Sequence, residues 1–457
     1  MRQQFFPLIL ALTLVSCAKD KWFDAKQSLN QVVPQTVSDY QALLDNIIMD
    51  WNSPYLGEIA SDGHYTTDAL FTSSFTPDEQ NAYTWSHTQP YTSVMDWTST
   101  QYGADGTWVR VYYANLVLDG MPGAVGTGST FDYNDVKGEA LFYRAKNFYD
   151  ITQIFAPPYD SSTASTDLGI PLRLTSDISV ATTRASVKDS YNQIISDLTT
   201  AAGLLPVTPE YKTRPSKPAC YALLARLYLS VGDYPDAGRY ADSCLSLYST
   251  LVNYNTLILT ATYPLTIYNA QVIFQCTMNV GSGAGSFYER VDPALYNLFD
   301  ANDLRKTVMF TVNADSTISI RNTNFYNTGF SGMTVEEMYL VRAECYARAG
   351  NASAAMSDLN TLLLARYKTG TFTGKTATGA ADALNQVLTE RRKELILRGL
   401  RWSDLRRLNK DPGFQVTITR TIAGQTYTLK PNTYEYTFPI PDDIISAAPQ
   451  IQQNPGW

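Results

Sequence analysis

A thirteen-residue pattern occurs twice in this chain and restricts the fold more than any other feature. Ala225-x-x-Tyr228-x-x-x-Gly232-Asp233-x-x-x-Ala237 is matched by Ala343-x-x-Tyr346-x-x-x-Gly350-Asn351-x-x-x-Ala355. A small residue, a ring three places on and a Gly-polar break describe two helices joined by a tight turn. Glycine supplies the left-handed backbone that ends the first helix. The Asp or Asn after it offers a side-chain oxygen to the free N–H groups that open the second. Alanine lets the two helices approach closely. Such hairpins cannot bury their apolar faces alone, and at least three must stack to make a core.

These spacings are those of a tetratricopeptide hairpin, and the chain offers further layers. Helical periodicity covers residues 36–49, 108–119, 135–155, 187–205, 216–231, 234–247, 335–349, 353–367, 383–397 and 403–408. Pro157-Pro158 and Pro206 stop two of these helices. Residues 50–107 are rich in Ser, Thr, Gly, Pro and rings, with turn signals at Asp62-Gly63 and Asp105-Gly106, and read as a loop-rich excursion. Residues 253–333 read as irregular, with a strand-like piece at 272–277 and a Gly-rich run at 281–285. Residues 414–429 read as a β-hairpin turning at Ala423-Gly424, and 438–441 as extended. The expected fold class is mostly α: tetratricopeptide-like helical hairpins in a superhelical scaffold, with loop-rich excursions and small β-hairpins.

The N-terminus carries an address. A charged start, an apolar run over residues 5–15 and the pair Ser16-Cys17 fit a secretory signal. The run is too short to span a bilayer comfortably. Leu14-Val15-Ser16-Cys17 looks like a bacterial lipobox, in which Cys17 is lipidated and becomes the first residue. Residues 1–16 are therefore expected to be a signal peptide, 17–35 a lipidated tether and 36–457 a single domain, divisible into 36–250 and 251–457. Two or more acyl chains make a durable anchor.

Composition narrows the function. Lys and Arg number 35 against 43 Asp and Glu, a net charge of −8 without blocks of like charge, which argues against a nucleic-acid partner. His64 and His87 are the only histidines, a poor supply of the commonest general base and metal ligand. Cys220, Cys244, Cys276 and Cys345 form no C-x-x-C pair. Three of them fall in helical apolar patterns, which favours free buried thiols. No D-x-[DN]-x-[DN]-G calcium loop is present.

Several motifs, taken in order, carry a resemblance. They are Pro34-Gln-Thr-Val-Ser-Asp-Tyr-Gln-Ala-Leu-Leu44, then Gly138-Glu-Ala-Leu-Phe-Tyr-Arg-Ala145 with Phe148-Tyr149, then Tyr191, Ile194, Asp197-Leu198 and Leu204-Leu205-Pro206. Near the end come Glu390-Arg-Arg-Lys-Glu394-Leu395, Gly399-Leu-Arg401-Trp402-Ser-Asp404-Leu405-Arg406-Arg407, Phe438-Pro-Ile-Pro441 and Gln453-Asn454-Pro455-Gly456-Trp457. With the lipobox, these make the chain resemble a SusD/RagB-type surface lipoprotein of Bacteroidetes. Three positions depart from the pattern: Arg398 stands where an acidic residue is usual, Ala448-Pro449 where Asn-Pro is usual, and Trp457 where Tyr is usual. Glu390 and Glu394 lie one turn apart, and the expectation is an ion-pair lattice with Arg391, Arg401, Arg406, Arg407 and Asp404. Such a lattice holds carboxylates ionised, which is wrong for a general acid.

The resemblance implies a non-enzymatic lid over a SusC-like TonB-dependent transporter, held to the outer membrane by its lipid and capturing an oligosaccharide, with no catalytic residue and no cofactor or metal. A sugar ring is recognised by an aromatic platform against its C–H face and by polar groups at its rim. Candidate rings are Trp51, Tyr55, Tyr65, Trp85, Tyr91 and Trp97 in the first irregular region, and Tyr288, Phe325 and Tyr326 in the second. Asp62, Asn81, Asp96 and Arg290 are candidate polar contacts. The family architecture implies that the two regions meet on one face. Trp108 and Trp402 are expected inside the scaffold. Peptide cargo is the alternative. A surface glycoside hydrolase is a remote third reading, because it needs two carboxyl groups about 5–10 Å apart and no pair stands out.

Overall fold

The computed structural model describes residues 33–457 except 53–54, 93–95, 98–105, 126–132, 279–289 and 322–328. Residues 1–32, with the expected signal peptide, Cys17 and most of the expected tether, lie outside the described residues, as do Tyr288, Phe325 and Tyr326.

Eight helices of thirteen residues or more carry the scaffold among the described residues: α1 Thr107–Gly120, α2 Tyr133–Phe155, α3 Val187–Leu204, α4 Lys217–Val231, α5 Tyr234–Leu247, α6 Val335–Arg348, α7 Ala352–Leu364 and α8 Ala380–Glu394. Each of α1 to α7 packs on the next, and α8 closes against α6 and α7. The repeated hairpins are α4–α5 and α6–α7, and their turns are the same device used twice. Gly232 and Gly350 have φ of 79° and 84°. The N–H of Asp233 donates to Tyr228 O at 3.0 Å, and that of Asn351 to Tyr346 O at 2.8 Å. The Asp233 and Asn351 side chains then accept from the Asp236 and Ala354 N–H groups. Ala225, Ala237, Ala343 and Ala355 are fully buried.

Two-pronged Arg–carboxylate pairs pin layer to layer. Arg144 on α2 holds Asp197 on α3 at 2.8 and 2.7 Å. Arg226 on α4 holds Glu337 on α6 at 2.8 and 2.6 Å. Arg342 on α6 holds Asp358 on α7 at 2.8 and 2.7 Å. The planar guanidinium fits a carboxylate with two parallel bonds, so these pairs fix orientation as well as contact.

The signature at the C-terminus has a structural explanation. A helix leaves its last four carbonyls unpaired, and the long α2 ends inside the molecule. Phe438 N–H donates to Ile154 O at 2.9 Å. Asn454 Nδ2 donates to Phe155 O at 2.9 Å and to Phe438 O at 2.7 Å. The Arg406 guanidinium donates to Gln153 O and Ala156 O. Trp457 Nε1 closes the edge on Thr437 O at 2.7 Å.

The C-terminal charge lattice exists, with Arg391 and Arg407 on Asp404 as expected and different partners for Glu390, Glu394, Arg401 and Arg406. Glu390 and Glu394 bind Arg305 at 2.7 and 2.9 Å, and Arg366 and Lys393 complete the cluster. Arg391 and Arg407 bind Asp404, and Arg407 reaches Glu344 at 2.6 Å. Arg401 turns to Asp62, and Arg406 meets backbone carbonyls. Arg305 and Arg366 are remote in sequence from the motif, and short-range spacing could not reveal them.

Residues 50–107 are less open than their composition suggests. Their described part holds three short helices, Tyr55–Ala60, Asp68–Ser74 and Pro77–Thr84. Six to eight residues are too few to display a helical period, yet Pro77 and the Thr76–Glu79 capping box start the third as the rules prescribe. The first helix likewise stops at Leu44 and continues as a 3-10 turn at Ile47–Asp50. The predicted hairpin is present as Ile418–Ile422 against Gln425–Leu429. Its turn residues Ala423 and Gly424 have φ of 50° and 78°. That is the left-handed pair a two-residue hairpin turn demands. Cys220, Cys244, Cys276 and Cys345 are buried free thiols. Trp402 is buried and stacks on Tyr436 with ring centres 4.9 Å apart.

Candidate ligand-binding site

The two irregular regions meet at a small three-stranded sheet. Trp51–Asn52 runs parallel to Thr277–Met278, which pairs antiparallel with Gly329–Phe330. Asn52 is level with Met278, and Met278 faces Gly329. The chain therefore leaves Asn52 and Met278, and enters Gly329, at one end of this sheet. Segments 279–289 and 322–328 carry Tyr288, Phe325 and Tyr326, and they join the described structure at that end. A second stitch holds the far side of segment 279–289. Tyr65 N–H donates to Arg290 O at 3.0 Å, Asp292 N–H to Gly63 O at 3.1 Å, and His64 bridges Val291. The half-buried Tyr65 and Arg290 thus sit side by side, one from each irregular region.

Most other candidates in the first region serve the interior. Tyr55 is 1% exposed and its hydroxyl donates to Glu79 Oε1. Asn81 is fully buried, with Nδ2 on Gln89 O at 2.7 Å. Trp85 donates from Nε1 to Ala60 O at 3.0 Å, and the Arg420 guanidinium lies 4.6 Å over its ring. Tyr91 packs edge-on against Phe438 and Trp457. Trp97 meets Phe155 edge-on at 4.9 Å and Trp108 at 5.4 Å. Asp96 accepts from the Tyr55 and Leu56 N–H groups at 3.0 and 2.7 Å and so caps a helix start. Burial pushes its carboxyl up to about 6. In this fold these six side chains are buried against the protein's own groups. Rings in a Ser/Thr-rich stretch read as exposed, but here the stretch wraps the ends of α1 and α2.

Asp62 is also engaged. Arg401 grips it at 2.6 and 2.8 Å, and Arg392 stands at 3.2 Å. Burial alone would raise its carboxyl, but the charge and hydrogen bonds of Arg401 outweigh that and hold it well below the carboxylate range. Trp51 is fixed by its backbone in the small sheet. Among the described residues, no group of three or more His, Cys, Asp or Glu is arranged to hold a metal ion. The sequence did not single out the wall beside Gly329–Phe330. There the departing residue Arg398 lies 4.2 Å over the Phe330 ring and faces Glu336 at 3.3 Å.

Two family models match the chain. One, described as starch-binding and associating with outer membrane, covers residues 21–229. The other, the SusD family, covers residues 307–457. The chain belongs to the SusD family. Solved structures agree along almost the whole length of this SusD-family chain. A SusD superfamily protein from Bacteroides thetaiotaomicron superposes with a TM-score of 0.70 at 20% identity, over 92% of this chain and 100% of that one. A SusD-like carbohydrate binding protein from Bacteroides vulgatus gives 0.65 at 20% identity, over 91% and 97%. Surface glycan-binding protein A from Bacteroides uniformis gives 0.69 at 16% identity, over 92% and 99%. At these identities the likeness establishes the SusD fold. A comparison with curated proteins finds no match.

Proposed function

We propose that this protein captures oligosaccharides at the cell surface and passes them, unaltered, to a SusC-like TonB-dependent transporter, acting as a lid anchored in the outer membrane through lipid on Cys17. The observation that carries the reading is the meeting of the two irregular regions, once at the small sheet and again where Tyr65 pairs with Arg290. The half-buried Tyr65 ring suits the C–H face of a sugar, the Arg290 guanidinium suits its rim, and Tyr288, Phe325 and Tyr326 are the further rings this reading assigns to the site. The carbohydrate-binding and surface glycan-binding descriptions of the two relatives favour sugar as cargo. A tether of about 19 residues reaches roughly 60 Å when extended, enough for a lid to swing while it stays anchored.

The test is titration calorimetry of the mature protein against a panel of polysaccharides, with purification of the membrane-borne protein to identify what accompanies it. The expected outcome is a glycan bound by the wild type and at least tenfold more weakly by the Tyr288→Ala/Phe325→Ala/Tyr326→Ala variant, with an outer-membrane barrel co-purifying. Binding of peptides in place of glycans would keep the lid and change the cargo. Hydrolysis of a bound glycan would overturn the non-enzymatic reading.

A further inference from the structure

The stitch between residues 63–65 and 290–292 fixes which side chains face outward. Tyr65 N–H donates to Arg290 O and Asp292 N–H to Gly63 O, and these bonds bracket His64 and Val291 as directly opposed residues of an antiparallel pair. Successive side chains of such a pair alternate between its two faces. His64 and Val291 turn inward, at 4% and 0% exposed. Tyr65 and Arg290, opposed one step along, therefore share the outer face, and both are half-buried. Side chains opposed in this way stand about 5 Å apart at Cβ.

Arg290 differs from the rest of its kind. Every other arginine among the described residues makes a hydrogen bond or an ion pair. Arg290 makes neither with its guanidinium among the described residues. Its Nε is buried without a partner, and its two terminal nitrogens stay open to solvent. The nearby carboxylates are committed elsewhere. Arg401 grips Asp62, and Asp292 faces Arg392 at 3.7 Å. The exposed Asp315 accepts from the N–H and Oγ1 of Thr317 at 3.1 and 2.6 Å. A guanidinium is always charged, and its planar fork matches two oxygens of one anion. A neutral hydroxyl accepts a hydrogen bond from it but leaves the charge uncompensated, whereas an anionic group answers both needs. Taking Tyr65 and Arg290 as part of the glycan site, a reading on which this inference rests, we propose that the cargo is an acidic glycan. Its carboxylate or sulfate pairs with Arg290 while the sugar ring that carries it lies against Tyr65.

The test is calorimetry on the mature protein with fragments of polygalacturonate, alginate, hyaluronan and chondroitin sulfate, set against neutral fragments of starch, xylan and galactan. The expected result is that at least one acidic glycan binds at least tenfold more tightly than any neutral one. Its affinity should fall as sodium chloride is raised from about 0.1 M to about 1 M, where the screening length shrinks from roughly 10 to 3 Å. Arg290→Gln, which keeps a donor and removes the charge, should weaken that binding at least tenfold and abolish its salt dependence. Tyr65→Ala should weaken it and leave the salt dependence in place. Carboxyl-reduced and desulfated forms of the bound glycan show which anion is read. Circular dichroism checks each fold, and if Arg290→Gln does not fold, the salt dependence and the reduced and desulfated glycans decide. A neutral glycan bound as tightly as any acidic one, or unchanged affinity in folded Arg290→Gln, overturns the acidic cargo and leaves the sugar-binding reading standing. Failure to bind any glycan overturns both.

Discussion

At the scale of single residues, the scaffold leaves little slack. A Cβ added at Gly57 would sit 2.9 Å from Cβ of Trp402, itself locked by its stack on Tyr436. Gly57→Ala should therefore destabilise the protein by about 1–3 kcal/mol through overpacking, read as a lower urea midpoint with unchanged slope. Trp85 and Trp97 teach the converse lesson about reading rings from sequence. Both are large aromatics in a polar stretch, and nothing local distinguishes a sugar platform from a core wedge. Their burial and their contacts with Ala60, Arg420, Phe155 and Trp108 make them wedges. Trp85→Ala and Trp97→Ala should each lower unfolding stability by about 3–5 kcal/mol. Calorimetry on the folded variants should find glycan affinity within a few-fold of the wild type.

At the scale of elements, legibility followed length. The helices α2 to α6 lie within two residues of their predicted bounds, because fourteen or more residues display a full apolar stripe and Gly or Pro marks the ends. The hairpin at Ala423-Gly424 was legible from its turn chemistry alone. The helices Tyr55–Ala60, Asp68–Ser74 and Pro77–Thr84 were not, since each is about two turns long. The meeting of the two irregular regions came from resemblance, because strand pairs of two residues leave no periodic trace. The C-terminal signature was recognised as a string of letters, whereas its physical task is to satisfy the end of α2. Asn454→Ala removes two donated bonds there. It should cost about 1–3 kcal/mol, measured by chemical denaturation, and hydrogen exchange should quicken first at the last turn of α2.

At the scale of the whole molecule, two sets of carboxyls oppose each other in pH. Burial raises Glu139 to about 8, Glu58 and Asp50 to about 7 and Asp96 to about 6. Each binds its proton more tightly folded than unfolded, so its contribution is full below about pH 4 and is lost as pH rises through those values. Asp404 resists burial because Arg391 and Arg407 hold it down to about 2, and Arg305 and Arg407 likewise depress Glu390 and Glu344. Their contribution is present above about pH 4 and is lost as pH falls further. Melting temperature should therefore peak near pH 5 and decline toward both pH 3 and pH 8.5, as scanned by differential fluorimetry. A maximum at pH 7.5 or above would show that the buried acids do not set the balance. The clasp on α2 has a further meaning for how the molecule comes into being. Asn454 seals the end of a helix that is finished about three hundred positions earlier. A chain that emerges front end first must leave that helix end unsealed until residue 454 is free to reach it.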